Sequence, residues 1–336
     1  MVGIGMLSFA HVHAEGYAKQ VLEQSDAKLV AIWDEDRERG QEAANRFKVP
    51  FEPNLDKILS MPEVDAVVVN TPTSMHPEVI IASCQAKKHV FTEKALAITV
   101  KEADKIVEAV KSSGIKFMIS LPSRCRPEYL FAKKVIEEKF IGDITLARLR
   151  VAHSAALDYW WKPGNWFRDP VRAGGGAFID LGCHTLDLAL WFLGRPKSVT
   201  AKLTNFFGNY EVDDNSVALV EFENKALGIL DVSWVHRSGT NPVELFGTEG
   251  SLVINSVNQK INISSTKLSP YGIDGWVTPT KLPEPLPSPM RQWLDAIING
   301  TQTHITVEDG RNLTELIEAS TISSREKKVV EFSITL

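Results

Sequence analysis

Asp180 and His184, four positions apart, form the pair in this sequence that best suits proton transfer. They fall in a run that predicts one helix over 177–194, where positions i and i+4 share a face, and Asp187 lies close to that face. Histidine titrates near neutral pH and can take up and return a proton. Most other positions in this helix are apolar, so we expect it to be buried. Buried ionisable groups are costly unless they are paired or functional.

The same pair allows other interpretations. In the first alternative, Asp180 and His184 form an internal hydrogen bond that only stabilises the core. A metal site at this pair would lack a third ligand at suitable spacing, and Lys94 would repel a cation, so the sequence predicts no metal. A serine hydrolase is disfavoured because the chain has no G-x-S-x-G turn.

A tryptophan-rich run, 157–176, directly precedes this helix. Aromatic faces cover the C–H faces of sugars, and arginines can orient hydroxyl or carboxylate groups. Ordinary packing, an oligomer contact or surface ion pairs would explain the same residues. The substrate-binding prediction consists of Arg124, Trp161, Trp166, Arg168, Asp180 and His184.

The segment Gly5–Ala10 follows the first apolar run, where a dinucleotide fold places its glycine-rich turn. Gly5 matches the turn position and Ala10 the third position, but Leu7 replaces the second glycine, and we expect its side chain to crowd the approach. An ordinary strand-to-helix turn is the alternative.

Asp34 ends the second apolar run. A carboxylate there can accept hydrogen bonds from both adenosine ribose hydroxyls and repels a 2′-phosphate, which favours NAD over NADP. Arg37 and Arg39 lie nearby in sequence and weaken that preference. A solvated helix N-cap is the alternative role for Asp34.

The predicted helices and strands of the chain follow two patterns. In the first third, strand-like and helix-like runs alternate, which predicts βαβ units and a doubly wound parallel sheet. The predicted strands are 1–7, 27–34, 64–72, 89–94 and 115–120, and the predicted helices are 10–25, 35–47, 76–88 and 99–114.

The pattern changes near Leu121. A helix over 127–142 and a strand over 143–155 precede the tryptophan-rich run, and two closing helices are predicted at 288–300 and 307–326. Strand-like runs at 197–206, 215–224, 226–235 and 241–256 predict a large, mostly antiparallel open sheet. We therefore expect an α/β chain with a Rossmann domain over 1–121 and an α+β substrate and oligomerisation domain over 122–336, with a ligand cleft at the junction.

Composition excludes several classes of protein. The chain of 336 residues is 44% hydrophobic and 24% charged, with a net charge of −5, which disfavours nucleic acid and anionic membranes as partners. No run is long and apolar enough to predict a membrane span, and the N-terminus does not resemble a signal peptide. Three scattered cysteines predict a reducing, cytoplasmic location.

Several segments together resemble the Gfo/Idh/MocA family, the glucose–fructose oxidoreductase and inositol dehydrogenase group. The most specific are Thr71-Pro72 with His76, the Glu93-Lys94 pair, and the Asp180-x-Gly182-x-His184 run. The resemblance to the family extends in register over nearly the whole chain. The segments are 70–79, 87–96, 123–129, 166–194 and 307–320.

The resemblance implies an NAD- or NADP-dependent oxidoreductase acting on sugars, cyclitols or their derivatives, and a homodimer or homotetramer formed through the C-terminal sheet. It assigns the catalytic roles to Lys94, Asp180 and His184, with His184 as acid/base, Asp180 orienting it and Lys94 supporting the substrate oxygen. The predicted cofactor-binding residues are Gly5, Leu7, Ser8, Phe9, Ala10, Asp34, Arg37, Thr71, Pro72, His76, Glu93 and Lys94.

Two positions depart from the family pattern. Leu7 replaces a glycine of the first turn, and Ala95 replaces the proline that usually follows the lysine. Both lie in regions that serve the cofactor and catalysis. They support a second hypothesis, a dinucleotide- or sugar-sensing regulatory protein of the same fold that does not turn over a substrate. Retention of Lys94, Asp180 and His184 favours the enzyme, because a sensor needs no proton-transfer set.

Overall fold

The chain folds into two compact units. A computed structural model describes residues 1–162, 164–237, 240–255 and 260–333. The first unit contains Met1–Leu121, Val171–Gly174 and Pro287–Thr314, and the second contains Pro122–Pro170, Gly175–Leu286 and Glu315–Leu336. The chain first passes from the first unit to the second after Leu121, where the sequence predicts a domain boundary. The return of 287–314 to the first unit differs from the predicted second domain, 122–336.

The first unit contains a five-stranded parallel sheet in the order β2-β1-β3-β4-β5. The residues of β1, β3 and β5 are all buried, as expected for strands covered on both faces. The predicted alternation of strands and helices is confirmed. The strands are β1 Val2–Leu7, β2 Ala27–Trp33, β3 Ala66–Val69, β4 His89–Thr92 and β5 Phe117–Ile119.

Five helices connect these strands. Side chains set several of their ends: Asp36 and Asn54 cap α2 and α3, Thr99 forms a capping box with Glu102, and Gly114 ends α5 in the left-handed region. The short α3 is absent from the sequence prediction. The helices are α1 Ala14–Glu23, α2 Arg37–Phe47, α3 Leu55–Ser60, α4 His76–Gln85 and α5 Val100–Ser113.

The second unit is built on an eight-stranded sheet in the order β12-β11-β10-β6-β9-β8-β7-β13. Only the β6–β9 pair among these neighbours is parallel, so the predicted mostly antiparallel sheet is confirmed. The predicted strand 241–256 divides into β10 and β11, and Ser256 lies outside the described residues. The strands are β6 Ile144–Ala152, β7 Pro196–Thr204, β8 Asn215–Phe222, β9 Leu227–Ser233, β10 Val243–Gly247, β11 Gly250–Asn255, β12 Lys260–Ser265 and β13 Val330–Glu331.

The predicted single helix over 177–194 is wrong. It divides into α8 and α9, with Leu181 and Gly182 between them, and both of their N–H groups donate to the Ala177 carbonyl. A Cβ on Gly182 would lie 2.1 Å from the Phe178 carbonyl oxygen, so only glycine fits this break. The helices of this stretch are α6 Pro127–Glu137, α7 Pro170–Ala173, α8 Ala177–Asp180 and α9 Cys183–Leu193.

Two closing helices, α10 Pro289–Asn299 and α11 Val307–Glu326, match the predicted pair. α10 belongs to the first unit, where Trp293 packs on Phe91 with ring centroids 5.7 Å apart. No single helix in the described part of the chain has the length and apolar character needed to cross a membrane. Only the bent pair Pro170–Asp180 and Cys183–Leu193, which meets at 56°, satisfies both criteria when its halves are taken together.

Candidate functional site

The first unit brings four predicted segments to one edge of its sheet. The four strands β2, β1, β3 and β4 are parallel and adjacent in that order, so the residues that follow their carboxyl ends lie side by side. Ligands of open α/β sheets bind at this edge, where the strand order reverses. The segments are Ser8–His13, Asp34, Asn70–Pro72 and Glu93–Lys94.

The turn after β1 differs from the sequence prediction. Gly5 lies inside β1, opposite Ala31 and Val67, so it is not the turn residue. Leu7 ends the strand with its side chain fully buried, so the expected crowding of the approach is also wrong. Ser8 makes the turn instead, with φ of 77°. Its N–H donates to the Trp33 carbonyl, and its hydroxyl accepts the N–H of Ala10 at 3.0 Å.

Asp34 is buried at the end of β2 and organises this turn. Its carboxylate accepts the N–H of Phe9 at 2.7 Å, the N–H of Asp36 at 2.8 Å and two nitrogens of Arg39. Asp36, not Asp34, is the N-cap of α2. Burial raises the pKa of Asp34, although the hydrogen bonds from Arg39 oppose that shift. Arg37 is exposed, and its cofactor role stays a prediction.

The segment after β3 contains buried polar groups. Thr71 is fully buried, and among the described residues its hydroxyl has no hydrogen-bond partner; the same holds for the side-chain oxygen of Asn70. Pro72 precedes the 3₁₀ turn that leads to His76. Buried polar atoms normally have a partner, so these two oxygens favour a ligand at this edge.

His76 holds the loop that carries Lys94. Its Nδ1 lies 2.8 Å from the Ala95 carbonyl oxygen, and its Nε2 lies 3.1 Å from the Thr71 carbonyl oxygen. Burial lowers the pKa of His76, although these hydrogen bonds oppose that shift. The peptide bond between Lys94 and Ala95 is cis. The histidine thus connects the end of β3 to the residues after β4, and direct cofactor contact stays a prediction for it.

Glu93 is the buried centre of a polar cluster. It accepts hydrogen bonds from the hydroxyl of Tyr17 and from the N–H of Lys94, and it lies 2.9 Å from Nδ1 of His13. Burial would raise the pKa of Glu93, but the charges of His11, His13 and Lys94 and the His13 hydrogen bond hold it well below its usual range. Glu93 is therefore ionised beside the buried Lys94.

The second unit positions Asp180 and His184, which are both half-buried. Asp180 ends α8 and His184 lies in the first turn of α9, so they do not share the face of one helix. Asp213 anchors the start of α8. Its carboxylate accepts the N–H groups of Gly176 and Phe178, each at 2.8 Å. Burial raises the pKa of Asp213, although the hydrogen bonds from the N–H groups of Phe178 and Gly176 oppose that shift.

His184 lines a cavity of about 400 Å³ within the second unit. Several polar side chains share its wall, and the sequence prediction left most of them out. The sequence features that pointed to any of these cavity residues were the family-like segment 123–129, which contains Arg126 and Tyr129, and the family-like segment 166–194. The residues outside these segments lie on separate strands and loops. The polar side chains besides His184 are Ser123, Arg126, Glu128, Tyr129, Arg150, Thr185, Asn241 and Asn255.

The remaining predicted substrate residues are mostly packed against protein. Arg124 forms a buried ion pair with Asp187. Trp161 and Trp166 are buried against Phe167. Arg168 donates to the Asn209 carbonyl at 2.7 Å. Their substrate roles stay predictions.

A parallel sheet with an acidic residue after β2, and polar groups after β1, β3 and β4, is the architecture of a dinucleotide-binding Rossmann domain. The buried oxygens of Asn70 and Thr71 and the carboxylate of Asp34 fit a polar dinucleotide at this edge.

Comparison with known families agrees with this assignment. Residues 1–121 match the oxidoreductase family with an NAD-binding Rossmann fold, GFO/IDH/MocA, and residues 129–253 match the GFO/IDH/MocA C-terminal domain. The chain belongs to the Gfo/Idh/MocA family of NAD-binding oxidoreductases.

Characterised relatives cover most or all of the chain. The scyllo-inositol 2-dehydrogenase (NAD(+)) of Bacillus subtilis is 27% identical, over 99% of this chain and 96% of its own length. The levoglucosan dehydrogenase of Pseudarthrobacter phenanthrenivorans is 29% identical, over 76% of this chain and 72% of its own. A solved levoglucosan dehydrogenase in complex with NADH and L-sorbose has a TM-score of 0.84 at 25% identity, with 99% of each chain covered.

Proposed function

We propose that this protein is an NAD-dependent dehydrogenase that transfers a hydride between the nicotinamide and a hydroxyl-bearing carbon of a sugar or cyclitol. The observation that carries this proposal is the placement of His184 in the wall of a polar cavity of about 400 Å³. Ligand sites are typically about 300–1,000 Å³ and combine apolar walls with a few polar groups. Guanidinium, amide and phenol groups around a titratable histidine suit a ligand with several hydroxyls.

The relatives support this substrate class. Levoglucosan and scyllo-inositol, the compounds in the names of two of them, are both polyhydroxylated rings. A substrate ring of this kind would form hydrogen bonds with donors and acceptors of the protein on more than one side of the ring. Arg126, Tyr129 and Arg150 lie in the cavity wall with His184 and offer such groups.

The proposed roles follow from proton chemistry. Bound NAD supplies the hydride acceptor. His184 takes the hydroxyl proton in oxidation and returns it in reduction, and Asp180 orients the imidazole. Lys94, whose ammonium is a charged neighbour of Glu93, supports the substrate oxygen as negative charge develops. The carboxylate of Asp34 favours NAD over NADP.

The first experiment is a titration of the purified protein with NADH and with NADPH, followed by a panel of inositols, levoglucosan and aldoses with NAD. We expect NADH to bind more tightly than NADPH and at least one polyol to be oxidised. Binding of NADH without turnover of any member of the panel would instead support the regulatory protein that senses a dinucleotide.

His184→Ala tests the proton-transfer role. We expect kcat/KM to fall by about 10²–10⁴-fold, because a positioned acid/base contributes that much, while NADH binding remains. His304→Ala is the control, since His304 is exposed. Full activity of His184→Ala on the true substrate would refute the assignment.

We further propose that two copies of this chain associate through the eight-stranded sheet. Val217, Leu219 and Leu227 are large apolar side chains exposed on β8 and β9. Contiguous exposed apolar groups on a sheet face are typical of interaction surfaces. A cytoplasmic location stays a prediction; the thiols of the three cysteines are buried.

A further inference from the structure

Two histidines and a glutamate converge at the carboxyl edge of the first sheet. His11 and His13 lie in the segment between β1 and α1, and Glu93 follows β4. Nδ1 of His13 is 2.9 Å from one carboxylate oxygen of Glu93, and Nε2 of His11 is 3.6 Å from the other. One ligand atom from each of the three side chains lies within 4.8 Å of the other two.

This ligand set has the chemistry of a zinc site. Zinc binds imidazole nitrogen and carboxylate oxygen at about 2.0–2.2 Å, and tetrahedral geometry then places neighbouring ligand atoms about 3.3 Å apart. Nδ1 of His13 lies 2.9 Å from one Glu93 oxygen and Nε2 of His11 lies 3.6 Å from the other, so the carboxylate faces both imidazoles. Binding of an ion at Nε2 of His11 would require Nδ1 of that ring to release the His13 N–H that it accepts at 3.2 Å.

The surroundings leave one side of the site open. The side chains of His11 and Glu93 are almost fully buried, whereas that of His13 is 50% exposed. An ion held by the three residues would have solvent access on the His13 side, where water could complete its coordination.

Neighbouring groups hold the carboxylate in place. The Tyr17 hydroxyl donates to Glu93 and lies 2.7 Å from the Ser120 hydroxyl, and the N–H of Lys94 donates to the second carboxylate oxygen. Such outer contacts orient metal ligands. The ammonium of Lys94 opposes a cation, so we expect weaker binding than in a structural zinc site.

We propose that His11, His13 and Glu93 form a binding site for a divalent transition-metal cation of the zinc class, with one position open to solvent. The metal assay needs neither substrate nor dinucleotide, so its outcome can be distinguished from that of the proposed dehydrogenase activity. Glu93 also accepts the N–H of Lys94, so an ion would lie beside a residue to which the proposed function gives a role. Cobalt(II) is the probe, because it replaces zinc in nitrogen and oxygen sites and absorbs visible light.

The test is a titration of the chelator-treated, full-length protein with Co²⁺, followed by its visible absorption and then by displacement with Zn²⁺. We expect one Co²⁺ per chain, with the strong absorption of a four- or five-coordinate ion that Zn²⁺ abolishes. Absence of a saturable Co²⁺ signal in the unaltered protein would overturn the proposal, whatever the variants do.

His11→Ala and Glu93→Gln then assign the site. Each should weaken Co²⁺ binding by about tenfold or more, since even outer-shell losses reduce metal affinity by about 10–100-fold. His304→Ala, which removes an exposed histidine outside the cluster, should leave binding unchanged. Circular dichroism checks that each variant is folded. Undiminished Co²⁺ binding by folded His11→Ala would also overturn the proposal.

Discussion

Arg124 and Asp187 form a buried ion pair inside the second unit. Nε of Arg124 lies 3.1 and 3.0 Å from the two carboxylate oxygens, and Nη2 lies 2.6 Å from one of them. The guanidinium also stacks over Trp191, 5.7 Å from the ring centroid. This geometry indicates that Arg124 joins the segment before α6 to α9, a role that stabilises the fold.

We predict that Asp187→Ala lowers the free energy of unfolding by about 3–5 kcal/mol, because it leaves the charge of Arg124 buried without its carboxylate. Glu244→Ala, which breaks a partly exposed pair with Arg148 at 3.9 Å, should cost about 1 kcal/mol or less. Urea unfolding of both variants measures the difference. Equal stability of the two would contradict the structural role of the buried pair.

Asp34 joins the turn after β1 to α2 and also bears on cofactor choice. We predict that Asp34→Ser lowers the ratio of NADPH to NADH dissociation constants by about 10–100-fold. Hydrogen bonds to a charged group contribute about 1.5–3 kcal/mol, and the change removes the charge that repels a 2′-phosphate while releasing Arg39.

Fluorescence titration with both cofactors measures that ratio. Lys28→Ala is the control, because Lys28 is exposed near the start of β2, at the opposite end of that strand from Asp34, and we expect it to change the ratio by about twofold or less. An unchanged ratio in folded Asp34→Ser would mean that Asp34 does not select the cofactor.

At the scale of elements, long-range side chains hold the short strands β4 and β5 in place. Nδ1 of His89 accepts the N–H of Lys116 at 2.9 Å. The indole N–H of Trp293 donates to the Lys116 carbonyl, and the Thr303 hydroxyl donates to the Phe117 carbonyl. Since β4 has four residues and β5 three, these contacts add substantially to a small number of ladder hydrogen bonds.

His89 should make the first unit sensitive to acid. Burial, together with the charge of Lys116, lowers the pKa of His89 below its ordinary 6.5. The unfolded chain therefore binds the proton first. The stability that neutral His89 contributes is complete above pH 6.5 and is lost as pH falls through the lower pKa of the folded state.

We predict that the free energy of unfolding falls more steeply below pH 6.5 in the unaltered protein than in His89→Asn, which offers an acceptor that does not titrate. His304→Ala should follow the unaltered protein. Urea unfolding at a series of pH values gives these slopes. Parallel curves for the unaltered protein and His89→Asn would exclude the mechanism.

At the scale of the molecule, the eight-stranded sheet has two different faces. Along β8, Ser216, Ala218 and Val220 are buried, while Val217 and Leu219 between them are exposed. Period-two alternation normally places polar residues on the solvent side, so the apolar residues there support the proposed association of two copies through this face.

We predict that the unaltered protein is at least a dimer and that Leu219→Lys shifts it towards monomer, because a charge on a sheet face that a second copy covers would be desolvated without a partner. Leu22→Lys on α1 is the matched control, since Leu22 is also exposed. Light scattering coupled to size exclusion gives the masses. A monomeric unaltered protein, or a Leu219→Lys variant of undiminished mass, would be the contrary result.

Elements with strong local patterns were predictable. The five parallel strands and the antiparallel character of the second sheet follow from buried apolar runs and period-two alternation. The break between α8 and α9 at Gly182 was not predictable, because its cause is a close approach of backbone atoms and not a change in polarity along the sequence. Similarly, Gly5 has the turn residue type but lies in β1, and Ser8 takes the left-handed conformation.

Periodicity and motif spacing are local properties, so the chain's residues alone were enough to predict the two-part α/β organisation, the family resemblance and the sheet edge at which a dinucleotide is expected. The pairing of Arg124 with Asp187, the contact of His76 with the Ala95 carbonyl and the cluster of His11, His13 and Glu93 became visible only in the folded chain. These contacts join residues far apart in the chain. Their partners are selected by burial and geometry, which no local pattern contains.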